Sequence, residues 1–230
     1  MPCTAQELAD TKQKFYEIAR FPNVIGAIDC THVKIESPGG NEPELFRNRK
    51  NFFSMNVQAI CNAELKFTNV VARWPGSVHD ARIFANSSIK KSFEDGIFAN
   101  SLLLGDSGYP ISNYCVIPIH QPTTDRENIY NEAQIRTRNC IERAFGVLKR
   151  RFPVLSLGIR LDIKKVQCIC VVSAILHNIA IDFNEPEPPH LPEEIEAAVT
   201  FGNEVPVDTI NQDNNMGVMT NLLRYFENLN

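Results

Sequence analysis

Apolar residues recur along this 230-residue chain in two periods, and the switch between them divides it into elements. Leu8, Phe15, Ile18 and Ala19 make a loose stripe at helical spacing, predicting a short helix over residues 5–19 that Phe21-Pro22 ends. The run VIGAIDCTHVKIE, residues 24–36, is rich in β-branched side chains and leads into Ser37-Pro38-Gly39-Gly40, so it reads as a first strand and a turn. Phe53, Met55, Val57, Ala59 and Cys61 then alternate with Ser54, Asn56 and Gln58, the period of a strand with one polar face. Asn62-Ala63-Glu64 connects it to a third run, 65–74, and the pair forms a hairpin. Ser77-x-x-Asp80 ahead of an apolar pattern has capping-box spacing and predicts one helix to about Phe93. Residues 101–104 read as a short buried strand that stops at Gly105-Asp106-Ser107-Gly108-Tyr109-Pro110, and 114–119 as a fifth. Ile141, Phe145, Leu148 and Phe152 mark an amphipathic helix over 128–152, and 166–181, apolar on most faces, a helix packed under the sheet.

This order predicts an α/β fold: a five-stranded mixed sheet, its first three strands antiparallel, flanked by helices. Residues 1–22 form a helical lead-in and 23–183 the main domain. Residues 184–230 form an acidic, proline-containing tail with at most two short helices, one near 219–228. The apolar run 166–181 is interrupted by Gln167, His177 and Asn178 and falls short of the roughly 20 residues of a bilayer span. The first twenty residues carry Glu7, Asp10, Lys12, Lys14 and Glu17 with no apolar signal core, so secretion is not expected. Seven scattered cysteines with no C-x-x-C spacing suit a reducing compartment and argue against a zinc site.

Charge changes the picture. The net −4 hides a tail of −8 over residues 183–230 and a remainder of +4, so the acidic balance does not exclude a polyanionic partner. Between Arg126 and Lys165 ten bases face four acids. Arg138, Arg143, Lys149 and Arg150 are candidate phosphate contacts beside Glu142, with Arg49 and Lys50 ahead of the second strand as further candidates. Taken by itself, the Lys149-Arg150-Arg151 run fits the solvated face of an amphipathic helix better. The acidic tail is then expected either to shield this basic stretch in cis or to bind a partner.

Four acids stand at strand ends or just inside helices: Asp29, Asp80, Asp106 and Glu142. Each has a structural alternative. Asp80 could complete the capping box, Asp106 could bond its own backbone in a turn, and Glu142 could pair with Arg138 one helical turn earlier. Asp29 is hardest to explain so, because an ionised group inside an apolar strand loses its hydration. Carboxylates gathered without bases repel unless a cation holds them, and oxygen-only ligands favour Mg²⁺ or Mn²⁺. His32 and His79 adjoin these acids as orienting or merely packed residues, and Trp74 reads as core.

Five segments carry a resemblance: Gly26-Ala-Ile-Asp-Cys-Thr-His32, Asn48-Arg-Lys50 through Ser54-Met-Asn-Val-Gln-Ala59, Trp74-Pro-Gly-Ser-Val-His-Asp80, Leu104-Gly-Asp-Ser-Gly-Tyr-Pro110 and Thr137-Arg-Asn-Cys-Ile-Glu-Arg-Ala-Phe-Gly146. In order and spacing they resemble the DDE endonuclease domain of the PIF/Harbinger transposase superfamily, in particular its domesticated, transposase-derived nucleases. The likeness spans residues 21–182 and closes at Leu176-His177-Asn178. It implies an RNase H-like fold and a metal-dependent DNA endonuclease working by a two-metal carboxylate mechanism. Asp29, Asp106 and Glu142 would be its catalytic metal ligands and Asp80 a further one. It implies a nuclear location and a Myb-like partner that carries the nuclease to DNA. Cys30, Asn51, Asn62 and Gln134 depart from the family pattern, and none of these changes removes a carboxylate. A DNA- or chromatin-binding adaptor that has lost catalysis is the alternative. Glycoside hydrolysis by two carboxylates fits poorly, since one tryptophan gives little to line a sugar cleft.

Overall fold

The computed structural model describes residues 1–189 and 216–229. Its centre is a mixed five-stranded sheet in the order β3-β2-β1-β4-β5. The strands are β1 (Val24–Lys34), β2 (Ser54–Cys61), β3 (Phe67–Pro75), β4 (Leu102–Leu104) and β5 (Cys115–Val116). β1 is the middle strand, antiparallel to β2 and parallel to β4. Its alternation, shifted by an irregularity between Val24 and Gly26, sorts the core into two layers. Ala27 and Val33 point toward Ile141, Ala144, Phe145 and Leu148 of the long helix α4 (Asp125–Arg151), the other long helices being α1 (Ala5–Ala19) and α6 (Ile163–Asp182). Ile25 and Ile28 point the other way, toward Ile60, Phe84 and Leu103. Burying one such side chain contributes about 2–3 kcal/mol, so the sheet is held from both faces. Thr4 with Glu7 and Thr124 with Glu127 form capping boxes that start α1 and α4.

Four expectations change. First, the helix expected from Asp80 to Phe93 is two, α2 (Asp80–Ala85) and α3 (Ser88–Glu94). Ser87 Oγ donates to Phe84 O and accepts from Lys90 N–H, so a polar side chain ends one helix and caps the next. The Ser77-Asp80 capping box does not form, because the N-cap is His79, which makes no side-chain capping bond, and Asp80 Oδ1 is held by Asn56. Second, β2 has no exposed face: all eight residues are buried, Ser54, Asn56 and Gln58 included, because β1 and β3 flank it in the sheet while α4 and the α2 region pack on it.

Third, α6 is 20 residues long and, by length and composition, reaches what a bilayer span requires. The flanking Lys164, Lys165 and Asp182 extend it beyond its apolar run. One face packs beside β3 through Val166, Cys170, Ala174 and His177. The opposite face leaves Val171, Val172, Ile175, Leu176 and Ile179 exposed, so it is not apolar because it is buried on all sides. His177 Nε2 bonds Leu65 O, and Asn178 ties both backbone groups of Phe67, fixing helix to strand. Fourth, the final helix α7 (Met216–Glu227) folds back onto the domain, where Phe226 packs on Phe21 and Tyr130. The other short helix expected in the tail lies outside the described residues. The short α5 (Val154–Leu157) links α4 to α6.

Candidate active site

The register of the central strands sets the site. Ala27 of β1 pairs with Leu104 of β4, its parallel neighbour, so Asp29 and Asp106 each lie two residues beyond the same pair. Adjacent strands are about 5 Å apart, which makes these carboxylates neighbours although 77 positions separate them in sequence. β1 remains a strand past this point, while the chain after β4 turns. Gly108 N–H donates to Asp106 Oδ1 (3.0 Å), the backbone bond that turn chemistry allowed, and it leaves the second carboxylate oxygen unused by that bond. Glu142 comes from α4, which packs across β1. Asp80 begins α2 and is anchored to β2 through Asn56, whose Nδ2 donates to Asp80 Oδ1 (2.9 Å) and Val78 O (2.8 Å).

The two central aspartates feel the other acids' charge. Burial, then the negative charge of Asp106, pushes Asp29 well above the ordinary carboxylate range, with Arg138 and the Cys30 N–H opposing. Burial, then Asp80, raises Asp106, and Glu142 adds to it. One base is present. Arg138 Nη2 reaches Glu142 Oε1 at 2.6 Å and its Nη1 reaches Asp29 Oδ2 at 3.4 Å. The intrahelical Arg138–Glu142 pair was legible from spacing; the bond to Asp29 was not, since it joins residues 109 positions apart. Four carboxylates against one guanidinium leave a formal −3 when all are ionised.

Further residues surround the cluster, Cys30 and Gln134 noted above only as departures from the family pattern and Tyr109 and Asn56 given no role. Cys30 Sγ and Tyr109 Oη lie 3.3 Å apart, and burial raises the pKa of both well above normal, so they serve as neutral hydrogen-bonding groups beside the acids. Gln134 Nε2 donates to Gly105 O (2.8 Å), fixing the backbone just before Asp106 from the face of α4. The signal for Asn56 and Gln134 was present but weak: a polar residue at each otherwise buried position.

The candidate phosphate contacts divide. Arg138 is an ion-pair partner inside the cluster, only 14% exposed, and its fork is taken by Asp29 and Glu142. Arg143 is exposed and reaches Glu187 at 3.0 Å; Arg150 is largely covered, lying 3.7 Å from the same carboxylate and donating to Pro188 O. Arg151 pairs with Glu185 at 2.8 Å. Acidic residues just past α6 therefore lie across the basic side of α4, the arrangement expected of shielding in cis. Arg49 and Lys50 stand exposed on the loop before β2, Arg49 donating to the His79 ring at 2.6 Å. Lys149 fits neither expectation for it: at 4% exposure it is neither a solvated side chain nor part of an open phosphate-binding face. Trp74 is half-buried.

The donor set suits a hard divalent cation: it is all oxygen and, when ionised, keeps a formal −3 after its one base, and Asp29 and Asp106 hold protons more tightly than free carboxylates do. Among the described residues, however, no group of three His, Cys, Asp or Glu side chains is gathered closely enough to hold an ion as it stands, because Arg138 takes the place of counter-ion. The residues fit such an ion by chemistry and charge, with Arg138 as the group that would yield.

A family model described as a DDE superfamily endonuclease matches residues 28–178, which contain all four acids. "Putative nuclease HARBI1" is 34% identical over 184 residues in Rattus norvegicus, 79% of this chain and 52% of that protein. The Homo sapiens protein of that name is 33% identical over the same shares. "Protein ALP1-like" of Arabidopsis thaliana is 29% identical over 196 residues, 78% of this chain and 48% of that protein. The chain thus spans about half the length of the curated relatives it matches. No solved structure matches it.

Proposed function

The chain belongs to the DDE superfamily endonucleases, and on that premise we propose that it is a divalent-metal-dependent DNA endonuclease of Harbinger-transposase descent, cleaving phosphodiester bonds by a two-metal carboxylate mechanism. What supports this reading is that the strand register sets Asp29 beside Asp106, Arg138 joins Asp29 to Glu142, and the charge of Asp80 acts on both aspartates. We take the sheet, three antiparallel strands continued by two parallel ones, as RNase H-like on the same grounds.

Asp29, Asp106 and Glu142, with Asp80 beside them, would hold Mg²⁺ or Mn²⁺, which when bound activates water and neutralises the leaving oxygen. The chain's own residues prepare the ground. Asp29 sits on the central strand, paired with Ala59 of β2 and two residues past the last β4 pair, so its carboxylate is placed by regular backbone. Gln134 and the Gly108 N–H aim Asp106, and Asn56 aims Asp80. Arg138 keeps Asp29 and Glu142 together before a cation arrives; swinging away, it becomes a free cation beside the scissile phosphate. Arg143 and Arg150 would contact flanking phosphates once Glu187 gives them up. A nuclear site of action accompanies this proposal.

The test is nicking of supercoiled plasmid by the purified chain in Mg²⁺, Mn²⁺ or EDTA, beside Asp106→Asn and Glu142→Gln. Metal-dependent nicking lost in both variants is expected. Equal nicking by all three proteins would refute the site. DNA binding without metal-dependent nicking would instead establish the adaptor.

A further inference from the structure

Five large apolar side chains stand exposed on α6: Val171, Val172, Ile175, Leu176 and Ile179, each between 38% and 52% exposed. Their spacing places them on a single face as one stripe of more than two turns. Scattered apolar residues at a surface need no explanation, but a contiguous stripe does. Leu161 before the helix and Phe183 after it are exposed as well and lengthen the stripe at both ends. The opposite face is committed. Val166, Cys170, Ala174 and His177 are buried beside β3, and the bonds of His177 to Leu65 and of Asn178 to Phe67 fix the rotation of the helix. α6 has the length of a bilayer span, yet lipid could surround it only by breaking those bonds and exposing the polar backbone they satisfy.

Whatever covers the stripe must suit its ends as well as its middle, and the ends differ in charge. At the start of α6, Lys164 and Lys165 are exposed against one acid, the capping Asp162, which bonds Lys165. At the far end Asp182 is exposed and shares Lys66. Turning a copy of this helix end for end about the point midway between Ser173 and Ala174 sets Val172 opposite Ile175 and Val171 opposite Leu176. It also sets the exposed Cys168 opposite Ile179, and Lys165 opposite Asp182. Symmetry of position belongs to any regular helical stripe, but this chemistry does not: the middle meets an apolar middle, and the basic end meets an acid. A parallel copy would instead lay the lysine pair on itself. The face is therefore complementary to its own reverse, the condition for an interface with twofold symmetry.

We propose that the exposed face of α6 binds the same face of a second copy of this chain, the two helices running antiparallel about that point. Scaled by their exposures, the seven apolar side chains offer on the order of 600 Å² per copy, so the pair buries at most about 1,200 Å², the low end of specific interfaces. A dimer that dissociates at micromolar concentration follows from that size. The Lys165–Asp182 contacts are exposed and each partner already has a counter-ion in its own chain, so they select the orientation while the apolar middle supplies the affinity. The inference concerns the back of the β3 edge and does not depend on the cleavage reading.

Sedimentation of the full chain from about 100 µM down to about 1 µM tests the association, because an interface of this size comes apart in that range. The parent should pass from dimer to monomer mass on dilution. Ile175→Glu, which sets a charge against Val172 of the second copy, should raise the dissociation constant at least about 100-fold. Its melting temperature at low concentration should match the parent's, since residue 175 is half exposed in the single chain. Orientation is read separately in a Cys3→Ser background under mild oxidation with diamide. Two copies of Cys168 lie about 16 Å apart in the antiparallel pair, too far for a disulfide, whereas Ile179→Cys brings a thiol opposite Cys168. Covalent dimers are therefore expected with Ile179→Cys and not without it. A parent that stays monomeric at 100 µM overturns the proposal, as does an Ile175→Glu protein that dimerises like the parent, or a parent linked through Cys168 alone. A monomeric parent that binds phosphatidylcholine vesicles through Ile175 would assign the stripe to lipid instead, and an Ile175→Glu monomer that melts well below the parent would mean that the chain itself covers the stripe; either result overturns the dimer.

Discussion

Replacing Lys149 with methionine should make the free protein more stable, and by an amount that depends on pH. The side chain is only 4% exposed, and burial, then the repulsion of Lys50, lowers its pKa from 10.5 to about 8. A lysine whose folded pKa is depressed binds its proton less well in the native than in the unfolded state. The penalty is therefore complete below pH 8, shrinks between 8 and 10.5, and vanishes above. A displacement of 2.5 pK units at about 1.36 kcal/mol each amounts to roughly 3.4 kcal/mol at pH 6.5, falling to roughly 1.4 kcal/mol at pH 9.5. Methionine has similar length and no charge, so it keeps the cavity filled by Val57, Phe67 and Phe145 without opening a void. Urea unfolding of both proteins at the two pH values gives the difference directly. With a slope of about 3 kcal/mol per molar, the midpoint of Lys149→Met should lie about 1 M higher at pH 6.5 and about 0.5 M higher at pH 9.5. Titration of tyrosines and cysteines at alkaline pH is common to both proteins and cancels in the difference. A variant less stable than the parent at pH 6.5, or a gain that does not shrink with pH, would show that the ammonium is already satisfied in the free protein.

Two other perturbations probe the C-terminal part. Phe226→Ala should cost about 3–5 kcal/mol in thermal or urea unfolding, because a ring 1% exposed between Phe21 and Tyr130 leaves a cavity; a cost below 1 kcal/mol would mean that α7 is not part of the cooperative unit. Exchanging Glu185 and Glu187 together for glutamine should change stability by less than about 1 kcal/mol, since both carboxylates are at least half exposed, yet tighten DNA binding several-fold at low salt by freeing Arg143, Arg150 and Arg151. Unaltered binding isotherms at 50 to 200 mM salt would remove any shielding role for these residues.

Much of this molecule was legible without coordinates, and the reason is locality. The periods of Leu8 to Ala19, Met55 to Cys61 and Ile141 to Phe152 report which face of a single element is apolar, and those elements stand where the periods put them. Asp29, Asp106 and Glu142 could be picked out because a carboxylate in an apolar strand, after a strand end or among helical bases is locally anomalous. Where local rules misled, a distant element had intervened. Ser77 and Asp80 had the spacing of a capping box, but Asn56 of β2 took the carboxylate. Ser54, Asn56 and Gln58 alternated like the wet face of an edge strand, but β2 lies between β1 and β3 beneath the α2 region. Lys149-Arg150-Arg151 looks like a solvated stripe on any helical wheel. Only packing against the sheet on one side and residues 185–188 on another makes the first a buried amine and the other two largely covered ion pairs. Charge and periodicity belong to the chain and are carried by the sequence. The dielectric around a charge, and therefore its proton affinity and its partner, belongs to whatever the fold brings against it, and no neighbour in sequence can supply that.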